Sequence, residues 1–554
     1  MEKMENLLSL ALETPLEERK QTLDLNVGYE EKDNTWEVIV KYNGSLDGLR
    51  ELGIKAEELI AGYGILTVPL PLLATVAARP EIEYMEMPKQ LYFALQRGKE
   101  ASCILQVTRR EPFLTGKGVL VAVIDSGLDY ESPYFRNRDG STRIIEYWDQ
   151  SSGVVFDNQA LNMLSLGNTI SILTDGPTQD VSGHGTAVAQ IAAGSPGGVA
   201  PESELIVVKL GGSEVNSFPK TTQLMRALTY VVTRAQQLGR PVAINLSFGN
   251  TYGSHKGTSL LERFMDNVAE IGRAVICVGT GNEAASGGST RGVLSQTGHL
   301  QELTVGPYEQ NLNLQIWKEY ADRYQVTVIS PGGERVVLSD TESNGGKREV
   351  ILDDTKLLIY VGEPSFYSTM QEIYFEFLPQ STYITQGVWT FLLTPQRIVT
   401  GEYAFYLPSQ AVRSTDTRLV GATPDGSFTI PSTASRIIRV GAYNVPYESY
   451  ADFSGRGVLG EYPDLAAPGV DIRVPTAQGG SRVVSGTSFA TPFVTGSAAL
   501  MMEWGIVRGA DPFLYGEKLK AYLQSGARPI RGESRYPNPK VGFGALCLED
   551  SIPI

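Results

Sequence analysis

Between residues 118 and 282 the chain repeats one pattern of apolar positions. GVLVAVIDSG (118–127), SELIVVKL (203–210), PVAINLSFG (241–249) and RAVICVGTGN (273–282) are short apolar runs without polar alternation. Helix-like segments such as TTQLMRALTYVVTRAQQLG (221–239) separate them. Strands apolar on both faces, alternating with helices, predict a parallel sheet covered by helices on both sides. The rhythm breaks over 303–424. There NLNLQIW (311–317), YQVTVIS (324–330), EIYFEFL (372–378) and GVWTFLL (387–393) are among eight strand-like runs at short intervals, with turn signals at Pro331-Gly332-Gly333 and Asn344-Gly345-Gly346. Such spacing predicts an antiparallel sandwich or jelly roll. The α/β texture resumes at RIIRVGAYN (436–444), so the all-β module reads as an insert.

Residues 1–96 have a third texture. TWEVIVKY (35–42) and EIEYMEM (81–87) read as strands, with GILTVPL (64–70) as a further extended segment. LDGLRELG (46–53) and LPLLATVAARP (70–80) read as helices between them. This interleaving is that of a small split β-α-β, or ferredoxin-like, unit. A polar stretch, Gln96-Arg97-Gly98-Lys99-Glu100, follows. The expected units are therefore 1–96, a core in two parts (97–302 and 425–554), and the insert at 303–424.

Composition narrows the function classes. With 42% apolar and 20% charged residues the 554-residue chain is ordinary globular material. There are 47 Lys and Arg against 62 Asp and Glu, a net charge of −15, which argues against nucleic acid or an anionic membrane as partner. Three cysteines at wide spacing, Cys103, Cys277 and Cys547, give no disulfide framework and fit a reducing compartment. The N-terminus lacks the basic and small-residue marks of a signal peptide, and no membrane span is expected, so an intracellular location is the expectation.

Three local motifs carry chemistry. Asp125 ends the run VAVID, at the strand edge where open α/β sheets place functional groups. An aspartate there also serves as a turn cap. His184, one of three histidines, stands in Ser182-Gly183-His184-Gly185-Thr186 at the start of a helix-like AVAQIAAG. A polar helix cap is the plainer alternative for it. Ser488 lies in Ser485-Gly486-Thr487-Ser488-Phe489-Ala490-Thr491-Pro492, leading into an apolar helix whose N-terminus favours developing negative charge. Pro492 is expected in the first turn, where a missing N–H costs nothing.

Together these motifs resemble the subtilisin-like serine peptidases, whose order along the chain is Asp, His, Ser. The resemblance covers 100–302 and 425–554, and more weakly 1–96. It implies a catalytic triad of Asp125, His184 and Ser488, with Asn282 of Thr280-Gly281-Asn282-Glu283 as oxyanion donor. It also implies substrate-binding backbone at Ser247, Phe248 and Gly249 and at Gly279, Thr280 and Gly281. No cofactor is implied. The chain runs directly from Gly194 to Ala200, where many family members carry a calcium loop, so no metal site is carried over.

A subtilisin-type propeptide together with a β insert is similar in architecture to the Csp germination proteases of spore-forming clostridia. That likeness implies self-cleavage, a propeptide held non-covalently as partner, and a cytoplasmic or spore-associated location. The polar stretch after the 81–96 segment puts the expected cut between Phe93 and Ser102, next to Gln96, the alternative being a permanent N-terminal domain with an uncut linker. The likeness further implies a protein zymogen, a spore-cortex lytic enzyme precursor, as substrate. Some relatives of that group act as signalling pseudoproteases; a low-turnover binding protein on the same fold is the alternative reading. The insert is expected to rigidify the molecule or recruit a partner, leaving the chemistry on a small reporter intact when excised.

Overall fold

The computed structural model describes residues 3–22, 24–89, 101–109, 111–165, 176–211, 218–339, 347–475 and 481–553, and the backbone of 92–93. Asn344-Gly345-Gly346 and the polar stretch beginning at Gln96 lie outside the described residues.

The apolar runs form the centre of a nine-stranded sheet. Leu120–Asp125 lies between Val242–Leu246 and Glu204–Lys209, and Ala274–Gly279 and Ile438–Asn444 continue the order beyond Val242–Leu246, all parallel. Successive side chains point to opposite faces. Val121 and Val123 therefore join one core, under the helices His184–Ala193 and Thr487–Met502. Leu120, Ala122 and Ile124 join the other, under Thr221–Gln237 and Leu260–Ala269. Both faces are dry, which is why these strands carry no polar alternation. No helix among the described residues is long and apolar enough to cross a membrane.

The N-terminal unit is a five-stranded antiparallel sheet in which Thr35–Tyr42 pairs with Tyr63–Pro69 and Ile82–Glu86. Its outer face lies against the helix Leu260–Ala269, with Ile39, Tyr63 and Ile65 sharing a core with Phe264. A helix that the sequence pattern did not reveal, Asn6–Glu13, precedes it.

Two further antiparallel sheets, of six and five strands, are formed by the chain that runs in sequence between the paired strands Ala274–Gly279 and Ile438–Asn444. Strand by strand they follow the expected runs; Leu312–Glu319, Met370–Pro379 and Gly387–Arg397 are examples. Ile316 and Phe375 of one sheet share a core with Val326 and Phe391 of the other. The module begins earlier than residue 303. Ser289–Val293 pairs with Glu402–Tyr406, and His299–Val305 pairs with Gly387–Arg397.

The cysteines depart from expectation. Cys103 and Cys547, 444 residues apart in sequence, form a disulfide with an S–S distance of 2.11 Å. Only Cys277 is free; it is buried, and burial pushes its thiol up to about 12. Spacing along the chain says nothing about which distant segments the fold brings together, so the bridge was invisible to the count.

Candidate active site

Asp125 closes its strand at the C-terminal edge of the sheet, fully buried. His184 is the first residue of the helix that packs across that edge. Gly183 precedes it in the left-handed region (φ 64°), and a Cβ on Gly185 would lie 2.1 Å from the Gly127 carbonyl. The two glycines flanking His184 thus permit the turn and the close helix–strand approach. His184 Nδ1 stands 2.7 Å from Asp125 Oδ1. Burial opposes the imidazolium, but the Asp125 carboxylate, with Asp180 behind it, outweighs burial and raises the His184 pKa above its ordinary value.

Asp180 ties this corner together. Its Oδ1 accepts from the Ser126 hydroxyl (2.9 Å) and the Gly183 amide (2.9 Å), and its Oδ2 from the amide and hydroxyl of Thr186. Arg482 donates to the carbonyls of Ser182 (3.1 Å) and Gly183, pinning the same turn from the other side.

Ser488 is the second residue of the helix Thr487–Met502. Its amide precedes the first intrahelical bond, where N–H groups are left for other acceptors. Pro492 is the sixth helical residue rather than a first-turn residue. Lacking an N–H, it cannot close the usual bond to the Ser488 carbonyl. That carbonyl accepts instead from Ser247 Oγ at 2.9 Å. Ser488 Oγ in turn donates to the Ser247 carbonyl at 2.9 Å.

Asn282 Oδ1 accepts from the Thr487 amide (3.0 Å) and hydroxyl (3.1 Å). Two donors on the oxygen fix the orientation of the amide, and leave the NH₂ end as the donor to the cleft. A cleft of about 290 Å³ lies beside Ser488 and Asn282, walled by Ser247, Phe248, Gly249, Gly279 and Gly281. A Cβ on Gly281 would collide with Thr429, 2.4 Å away. Thr280 is not in the wall: it is fully buried behind it, its amide donating to the Val440 carbonyl.

The sequence reading missed part of this cleft. Glu283, Thr429 and three residues of the insert, Ser409, Gln410 and Ala411, also line it. Ser409 Oγ donates to Glu283 Oε1 at 2.5 Å. Arg413, buried, holds the 407–417 loop by donating to the carbonyls of Pro408, Thr417 and Ser286. The insert therefore contributes to the wall beside the serine. Tyr92–Phe93 of the N-terminal segment pairs antiparallel with Phe248–Gly249, part of the cleft wall.

Comparison with known proteins agrees with this geometry. The subtilase family model matches residues 116–359 and 414–544, and the Csp protease B prodomain model matches residues 2–89. The structure of the CspB protease of Clostridium perfringens superposes with a TM-score of 0.75 at 34% identity, over 81% of this chain and 95% of that one. The minor extracellular protease Vpr of Bacillus subtilis is 24% identical over 476 residues, 79% of this chain and 52% of Vpr. The PII-type proteinase of Lactococcus lactis subsp. cremoris is 23% identical over 446 residues, 70% of this chain and 22% of that protein. The chain thus spans about half the length of Vpr and about a fifth of the lactococcal proteinase. With both parts of the core and the prodomain matched, the chain belongs to the subtilase family of serine endopeptidases.

Proposed function

We propose that the chain cuts itself next to Gln96, keeps the freed N-terminal unit as a bound propeptide, and then cleaves a protein zymogen, the precursor of a spore-cortex lytic enzyme. The observation that carries the reading is the pairing of Tyr92–Phe93 with Phe248–Gly249, which line the same cleft as Ser488. A substrate strand adds to a sheet edge in this way. Gln96 is three residues further along the chain, a reach of at most about 10 Å from Phe93.

In this mechanism Ser488 Oγ gives up its bond to the Ser247 carbonyl and attacks the scissile carbonyl carbon. His184 Nε2 takes the hydroxyl proton and passes it to the leaving amine. Asp125 holds Nδ1 and stabilises the cation. The Ser488 amide and the Asn282 NH₂ receive the charge that develops on the carbonyl oxygen. Water then hydrolyses the acyl-enzyme by the reverse proton path.

Intact-mass analysis of freshly expressed protein tests the first cut. Wild type should give co-purifying fragments of about 96 and 458 residues of the 554, and Ser488→Ala a single chain. Incubation with the precursor of a cortex hydrolase tests the second: a discrete cut by wild type and none by Ser488→Ala is expected. Absence of fluorophosphonate labelling at Ser488 would favour a binding protein instead.

A further inference from the structure

The N-terminal unit is gripped from two directions. On one side its sheet meets the subtilase core: Thr222 Oγ1 donates to Glu37 at 2.5 Å, and Arg226 pairs with Glu37 at 2.7 Å. On the other side its first thirty residues meet the insert. Leu7, Leu8 and Leu25 share one buried core with Leu358, Tyr374 and Leu378 of the six-stranded sheet. Polar contacts frame this patch. Asn313 Nδ2 donates to Asp24 Oδ2 at 2.8 Å in a buried position, Lys356 pairs with Glu18 at 2.7 Å, and Lys347 Nζ donates to the Glu13 carbonyl at 2.6 Å.

We infer that the insert is the clamp that keeps the propeptide on the enzyme after the chain is cut, by binding the segment 3–30. The inference rests on the self-cleavage reading above. Scission removes the covalent tether and with it the high effective concentration of the propeptide. Retention then depends on the surfaces that remain. The tail in the cleft is one of these, but it is the part that substrate must displace. None of the patch residues lines the cleft, and on the propeptide side Leu7, Leu8, Glu13, Glu18, Asp24 and Leu25 precede the first strand of its sheet at Tyr29–Glu30. The patch holds the propeptide whether or not the tail is seated. A second grip of this kind makes the cut form a complex with its tail exchangeable and its body fixed.

The test compares the dissociation constant of the propeptide from the cut enzyme, by dilution and size exclusion, across charge-swap pairs. Asn313→Asp sets a carboxylate against Asp24, and Lys356→Glu sets one against Glu18. Each should weaken retention roughly tenfold or more, as expected for losing a hydrogen bond to a charged partner. The swaps Asp24→Asn with Asn313→Asp, and Glu18→Lys with Lys356→Glu, should restore it. Glu349, which also pairs with Lys356, keeps Lys347 as its partner in the second swap. Lys356 is on the rim of the patch, so its variant serves if Asn313→Asp fails to fold, with thermal melting as the control. Cut enzyme that retains its propeptide equally in both variants would overturn the clamp, as would weakening that neither swap restores. An uncut wild type would instead overturn the self-cleavage reading.

Discussion

Ser247 and Ser488 exchange two hydrogen bonds, each hydroxyl donating to the other's carbonyl at 2.9 Å. The exchange exists because Pro492 leaves the Ser488 carbonyl unclaimed by the helix. It extends inward: Asn245 Nδ2 donates to Ser247 Oγ at 2.8 Å, and Thr495 Oγ1 donates to Asn245 Oδ1 at 3.0 Å. The nucleophile is thus held from the sheet as well as from its own helix.

Ser247→Ala should lower kcat while leaving KM nearly unchanged. The variant keeps the Ser247 carbonyl but leaves the Ser488 carbonyl and the Asn245 amide without their partner in a buried site, a cost of about 1–3 kcal/mol. Steady-state kinetics on a peptide reporter checks this. A kcat equal to wild type would show that the nucleophile needs no support from the sheet.

Asn282→Ala should cost about 100–1,000-fold in kcat, the range for removal of one oxyanion donor. Asn282→Asp separates the donor from the fold. It keeps an oxygen for the Thr487 amide and hydroxyl but removes the NH₂, so its rate should fall as far as that of the alanine variant. Near-wild-type kcat in either would exclude the oxyanion role.

The acidic limb of kcat/KM should lie above the ordinary histidine value of about 6.5, because Asp125 raises the His184 pKa and the working base is the neutral imidazole. Activity is lost as pH falls through that raised value. Arg482, which faces the same imidazole and opposes its protonation, should shift the limb upward when replaced by Met. A pH profile that Arg482→Met leaves in place would remove the guanidinium from the site's electrostatics.

Reduction of Cys103–Cys547 should lower the melting temperature, as should Cys103→Ser. The bridge ties the segment just beyond the proposed cut to the C-terminal end of the chain, closing a loop of 444 residues. A chain-entropy account gives about 6 kcal/mol for such a loop, and disulfides contribute up to about 5 kcal/mol in practice. Calorimetry with and without reductant, with alkylation to verify reduction, measures it; equal melting curves would show that packing alone anchors the segment.

What the sequence disclosed follows from the range of each interaction. Asp125, His184 and Ser488 stand in short strings whose neighbours perform local work, such as the glycines around His184. The doubly buried strands were legible because burial on both faces removes alternation. The insert's share of the cleft was not, because Ser409 reaches Glu283 across 126 residues through folded structure. Ser289–Val293 was missed because Ser-Thr-Arg-Gly-Val has one apolar residue, Val293, and so no apolar pattern to read. Its strand state comes from pairing with Glu402–Tyr406. Pro492 was misplaced by position alone: its role appears only once Ser247 is seen to occupy the carbonyl it frees.

The last prediction concerns pH and the bound propeptide. Three buried carboxylates sit where the propeptide meets the rest of the molecule. Burial raises Asp24 to about 6 and Glu372 to about 7, and raises Glu5 as well despite its contact with Lys89. Glu86, Lys89, Glu376 and the tyrosines Tyr84, Tyr252 and Tyr374 are the other titratable groups facing them. Released into water, the three would return to ordinary carboxylate values near 4. The bound state therefore holds protons that the free state gives up. Retention is strongest below about pH 4, weakens as pH rises towards the bound values, and levels off above them. Dissociation of the cut propeptide should be roughly tenfold or more faster at pH 7.5 than at pH 4.5, and Asp24→Asn with Glu372→Gln should flatten the profile. Stopped dilution across that range, followed by size exclusion, measures it. A dissociation rate that falls as pH rises would reverse the sign of the linkage and show that these carboxylates are held ionised at the junction.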